Sequence, residues 1–193
     1  MKSAPEILID LVAIPSVSSM SNRPVIEYAL QYLGESDWLT SLHCYREGTP
    51  TEKVNLIAAT KHNFPGIAEL TLVCHTDTVP FDPAWSEAVH PVLRDGRVYG
   101  RGSCDVKGFL ACVLEVVSKL DVARLSRPLA LVLTADEEVG CVGAKYLARK
   151  AAIQSRYLII GEPTGLAPVR AGKGYALGEI VVHGKEAHSA FPE

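Results

Sequence analysis

The 193-residue sequence contains no C-x-x-C pair, and its five cysteines (Cys44, Cys74, Cys104, Cys112 and Cys141) are odd in number. That argues against a secreted disulfide framework and against a thiolate zinc site. Read instead as small buried apolar residues in a reduced compartment, they point to the cytoplasm. There is no run of about 18 apolar residues, so no membrane-spanning helix is expected. Glu6 and Asp10 interrupt what would have to be the uncharged stretch of a signal peptide. Nor is there an excess of positive charge. Lys and Arg number 19 against 22 Asp and Glu, a net charge of −3, which is unlike the basic face of a nucleic-acid binder. Internal repeats, low-complexity segments and charge blocks are also missing. What remains is 48% hydrophobic and 21% charged, the composition of an ordinary folded domain, at a length of about one domain and a fraction.

The hydrophobic pattern alternates between two periods. Ile7, Leu8, Leu11 and Val12 follow helical spacing up to Pro15, and a second helix starts near Pro24 and runs towards Gly34. Short strands are expected at 42–46 and 54–60, and compact apolar runs at 70–74, 129–134 and 157–160 read as strands buried on both faces. Residues 76–96 read as a long loop, of the kind usually kept for function. Val106, Phe109, Leu110, Val113, Val116, Val117 and Leu120 mark an amphipathic helix, and 144–150 another. Strand, helix, strand, helix, strand implies α/β architecture with a largely parallel sheet. After Gly161 the glycines at 165, 172, 174 and 178 break the pattern, and 176–183 alternates like a strand leaving the main sheet for a second domain.

Each buried strand runs into polar residues that packing does not require. The first ends in His75-Thr76-Asp77, the second in Asp136-Glu137-Glu138 and the third in Glu162-Pro163-Thr164. Asp105 sits among glycines where the long helix begins. Ligands of open α/β sheets bind beyond the carboxyl ends of the strands, and carboxylates crowded there repel unless a cation joins them. Carboxylate and imidazole together suit Zn²⁺, Mn²⁺ or Co²⁺. A phosphate loop is the rival reading of Gly100-Arg101-Gly102-Ser103-Cys104-Asp105, but an aspartate stands where its third glycine belongs, in the place an anion would need.

Four motifs, in this order, resemble those of the M20 family of dinuclear zinc amidohydrolases: His75-Thr76-Asp77-Thr78-Val79-Pro80, the segment Gly100 to Gly108, Thr134-Ala135-Asp136-Glu137-Glu138 with Gly140, and Gly161-Glu162-Pro163-Thr164. The resemblance implies a zinc-peptidase-like α/β fold, a mostly parallel twisted sheet flanked by helices. It assigns 1–172 to an incomplete zinc-binding catalytic domain and 173–193 to the beginning of a lid and dimerisation domain. It also implies two zinc ions per complete site. His75, Asp105 and Glu162 would hold one; Asp105 would bridge to the second, which Glu138 also binds. Asp77 would hydrogen-bond His75 and fix its tautomer, Glu137 would be the general base, and the Asp105–Val106 peptide would be cis. His188, in a segment resembling the start of the lid, would reach a partner subunit's active site in a homodimer of the full-length form. The family's last ligand, a downstream histidine, is expected beyond this chain.

The implied chemistry is hydrolysis of the amide bond of an N-acyl amino acid. His75 to Phe81 followed by Trp85, and Gly161 to Ala171, resemble the branch that removes acetate from N2-acetyl-L-ornithine in arginine biosynthesis. Desuccinylation of succinyl-diaminopimelate, deacetylation of acetylcitrulline and aminoacylase activity stay open, since those branches share the metal motifs. A metal-binding fragment without catalysis is the alternative of another class. Val106 replaces a common Met, and Gly172-Lys173-Gly174 replaces His-Lys-Gly, which bears on substrate preference.

Overall fold

Helix α1 (Ala4–Ala13) opens where Ser3 donates its backbone N–H to the Glu6 carboxylate at 2.8 Å, and it buries Ile7, Leu11 and Val12. Helix α2 (Arg23–Leu30) buries Val25, Ile26 and Ala29. The computed structural model describes residues 2–34, 37–62, 64–174, 176 and 178–191, and it divides into two compact units, Met1–Pro163 and Thr164–Glu193. All the helices and strands named here lie in the first.

Its main sheet contains β1 (Trp38–Tyr45), β2 (Lys53–Thr60), β3 (Ile67–His75), β6 (Leu129–Thr134) and β7 (Gln154–Ile160), in the order β1-β2-β6-β3-β7. The helices α3 (Lys107–Lys119) and α4 (Val142–Arg149) provide the crossovers on either side of β6. Alternation along the strands sorts the two faces. Leu56, Ala58, Leu131, Leu133 and Cys74 pack against α1, α2 and α3 in the main core. Ile57 and Val132 point to the other face, against Leu147 of α4.

The helices and the α/β arrangement follow the sequence pattern, while several local features differ from it. The pairings are mixed: β3 is parallel to β6 and β7, whereas β1–β2 and β2–β6 are antiparallel. The stretch expected to be a loop ends in the first strand and turn of a hairpin, β4 (Val92–Arg94) and β5 (Arg97–Tyr99), turning at Asp95 (φ 52) and Gly96 (φ 71). Asp-Gly between short apolar segments favours such a two-residue turn. Strand β7 is largely exposed rather than buried, because it is the last strand of the sheet and pairs on one side only. Four of the five cysteines are exposed; Cys74 alone is buried. Residues 176 and 178–183 form no strand, and Leu177 lies outside the described residues. No helix among the described residues is long and apolar enough to cross a membrane.

Candidate metal centre

The three parallel strands place their carboxyl ends at one edge of the sheet. His75 is in register with Thr134 and Val73 with Ile160, and the Gly161 N–H donates to the Val73 carbonyl at 2.9 Å. His75 at the end of β3 therefore lies between the Asp136–Glu138 turn after β6 and Glu162 after β7. Asp105 arrives from the loop before α3, and its peptide bond to Val106 is cis.

His75 is 4% exposed. Its Nε2 is 3.1 Å from Asp105 Oδ1. One ligand atom each from His75, Asp105 and Glu162 fall within 4.8 Å of one another, and so do atoms from His75, Glu137 and Glu138. The imidazole is common to both groups. Metal–ligand bonds of about 2 Å in tetrahedral geometry separate neighbouring ligands by about 3.3 Å, so the spacing of His75 and Asp105 suits a shared divalent ion.

The resemblance assigns Asp77 a hydrogen bond that fixes the His75 ring, and the residue's backbone carbonyl stands at that place. His75 Nδ1 is 3.0 Å from the backbone carbonyl of Asp77 and 3.7 Å from its carboxylate oxygen. The carbonyl fixes the ring, which turns Nε2 towards Asp105. The Asp77 carboxylate is engaged elsewhere. It accepts the backbone N–H of Glu137 at 3.1 Å, that of Glu138 at 3.3 Å, and the Ser18 hydroxyl at 2.7 Å. Asp77 thus holds the acidic turn. Its aspartate side chain also supplies charge: burial disfavours the His75 imidazolium, but Asp77 and then Asp105 outweigh this and push His75 up to about 9. Burial raises Asp77, yet the nearby His75 ring and the hydrogen bonds from Ser18 and Glu137 bring it below the ordinary carboxylate range.

Glu138 is held above its ordinary value by burial and by the nearby Asp105. Glu162 is raised by burial, with His75 opposing and Glu137 and Asp105 adding to the rise. Carboxyl groups that resist ionisation beside one another form a donor set short of positive charge. The nitrogen and oxygen donors fit a borderline divalent cation, and the geometry can accommodate one. A cleft of about 480 Å³ opens beside Glu138, lined among others by Val17, Ser18, Gly48, Val79 and Val139.

His188 lies in the second unit, where its Nδ1 accepts the Ala190 N–H at 3.2 Å and its ring centroid is 5.9 Å from that of Phe191. Sequence reasoning missed Ser18, Tyr45, Lys53 and Asn55. Asn55 Oδ1 accepts the Ala135 N–H at 3.0 Å, just where β6 gives way to the acidic turn. Nothing in the local sequence marks these residues, since each reaches the site from another strand or loop.

Adjacent parallel strands that end in a buried histidine and clustered acids bring together the nitrogen and oxygen donors that a divalent metal ion takes. The chain belongs to peptidase family M20/M25/M40, whose profile matches residues 71–188. It is 46% identical over 186 residues to an acetylornithine deacetylase of Myxococcus xanthus, covering 96% of this chain and 48% of that protein. A second acetylornithine deacetylase, from Pasteurella multocida strain Pm70, is 40% identical and is matched over 94% of this chain and 48% of its own length. The chain spans about half the length of the curated relatives it matches. Among solved structures, an M20 family metallo-carboxypeptidase from Sulfolobus solfataricus shares the fold with a TM-score of 0.62 at 22% identity, over 83% of this chain and 37% of that one. The dipeptidase Dug1p of Saccharomyces cerevisiae does so with 0.64 at 19% identity, over 81% and 37%.

Proposed function

We propose that this chain carries the first part of a two-zinc amidohydrolase that cleaves N2-acetyl-L-ornithine to L-ornithine and acetate, in the cytoplasm, as a step of arginine biosynthesis. The observation that carries the reading is the convergence of His75, Asp105, Glu162, Glu137 and Glu138 in two ligand groups sharing one imidazole. The similarity to acetylornithine deacetylases supports the choice of substrate. His75, Asp105 and Glu162 would hold one ion; Asp105 and Glu138 would hold the second. Co²⁺ or Mn²⁺ would also suit these donors. Bound divalent ions lower the pKa of an attacking water and polarise the amide carbonyl. Glu137 accepts the proton of that water and passes it to the departing amine. Asp77 keeps Glu137 and Glu138 in place through their amides and holds His75 through its carbonyl. The start of a lid at 173–193 would bring His188 to the site of a partner subunit in a homodimer.

A second reading rests on the chain's matching only 48% of its relatives' length: a metal-binding fragment without turnover. Zinc titration and an assay of acetate release on this chain, and on the same chain extended through a terminal segment as long as its relatives', separate the two. Two ions and release of ornithine by the extended form, with one ion and no release by the short one, support the enzyme; no release by either form supports the fragment. Preferential cleavage of succinyl-diaminopimelate or acetylcitrulline would move the assignment to another branch.

A further inference from the structure

We propose that Lys53 is a positioning residue for the acidic turn, its buried ammonium joining Asp136 to the Ser18 loop and so fixing where Glu137 and Glu138 stand. The inference deepens the reading above and rests on it for its consequence in metal binding.

Lys53 opens β2 and its side chain is 1% exposed, facing Asp136, whose side chain is 4% exposed. An ammonium is costly to bury unless its donors are met. Its Nζ lies 2.9 Å from Asp136 Oδ1, a contact held by charge. The directed hydrogen bonds go to the carbonyl of Ser18 and, at 2.8 Å, to that of Met20. The other oxygen of Asp136 accepts the Tyr45 hydroxyl at 3.0 Å. Asp136 itself sits at φ 58, a left-handed conformation that aspartate and asparagine adopt more readily than most residues. It is the point at which the chain leaves β6 and turns the next two residues towards His75.

The network closes on itself. Lys53 grips Asp136 on one side and the Ser18 carbonyl on the other. Ser18 also gives its hydroxyl to Asp77 at 2.7 Å. Asp77 accepts the amides of Glu137 and Glu138, the residues that follow Asp136. The Ser18 loop is itself bound to the strand-end segment, Ser18 N–H donating to the Thr78 carbonyl and Thr78 N–H to that of Ser16, both at 3.0 Å. A buried ring of this kind is satisfied in one arrangement only. Cutting it at Lys53 frees the turn on the Glu138 side, while Asp105 and Glu162, which arrive from other segments, keep their supports.

The experiment uses the 193-residue chain, wild type, Lys53→Met, Ser18→Ala and the double variant Lys53→Met/Asp136→Asn. The double variant removes both buried charges, so its thermal midpoint should lie near the wild type's, which separates positioning from simple charge compensation. Amide hydrogen exchange is measured without metal. Protection of the Glu137 and Glu138 amides should fall about tenfold or more in Lys53→Met and in the double variant, and less in Ser18→Ala, with β6 amides unchanged. Zinc affinity on the Glu138 side should fall about 10–100-fold in the same variants, and the ion at His75, Asp105 and Glu162 should be little affected. Wild-type protection of both amides in the double variant would overturn the proposal, as would protection lost in parallel throughout β6. A wild-type chain that binds no zinc would instead overturn the metal reading, and the exchange result would still decide the role of Lys53.

Discussion

Strands β6 and β7 are both apolar runs, both lie parallel to β3, and both deliver acids to the same edge, yet one is sealed and the other bare. From Ala130 to Leu133 no residue of β6 is more than 4% exposed, whereas Tyr157, Leu158, Ile159 and Ile160 of β7 are 49–63% exposed. The difference is position. β6 has β2 and β3 as neighbours and helices on both faces; β7 has β3 alone. An apolar run therefore identifies a strand without saying what covers it. The acids inherit the contrast: the turn after β6 is clamped by Asp77, Asn55 and Asp136's partners, while Glu162 after β7 is exposed. A free edge with exposed apolar side chains is also a template for pairing.

The largest effect should come from the acids themselves. In a form that turns over substrate, Glu137→Gln should lower hydrolysis about 10²–10⁴-fold with zinc stoichiometry intact, since the amide cannot take a proton from water. Glu138→Gln and Glu162→Gln should weaken zinc binding instead, each at a different ion. Titration and acetate release check this, and the reverse pattern would exchange the roles of Glu137 and Glu138.

Packing provides the next test. Leu131→Ala in β6 should cost about 2–5 kcal/mol by urea denaturation, and Leu158→Ala in β7 no more than about 0.5 kcal/mol. Equal costs would mean that β7 is covered in solution. Two glycines beyond these strands sharpen the contrast. A Cβ on Gly143 would lie 2.4 Å from the backbone oxygen of Ala135, whereas one on Gly161 would meet the Phe109 ring at 2.2 Å. Backbone cannot yield as a side chain can, so Gly143→Ala should cost about 1–3 kcal/mol and Gly161→Ala less, read from thermal midpoints.

The last test concerns the strand between the two. His75, pushed up to about 9 when no metal is present, must lose its proton to become a ligand. Zinc affinity should therefore climb about tenfold per pH unit below that value and level off above it. A flat profile between pH 6 and 8 would mean that His75 is already neutral and that Asp77 and Asp105 do not hold its charge.

Much of this was legible in the residues. Helical spacing placed α1 and α3, apolar runs placed β3, β6 and β7, and the polar residues at the strand ends named His75, Glu137, Glu138 and Glu162. Those signals are local: periodicity follows from backbone geometry, and a ligand follows from its side-chain chemistry. The Asp-Gly signal of the hairpin was present too, but it was masked by the prolines around it. Tertiary structure alone decided the rest. The exposure of β7 depends on which strand happens to be last in the sheet. The pairing of His75 with the Asp77 carbonyl depends on two amides from a distant turn claiming the carboxylate first. The burial of Lys53 depends on Asp136, Ser18 and Met20 meeting it from separate elements. Burial and hydrogen-bond partnership are set by neighbours far along the chain, and no stretch of sequence records its own neighbours.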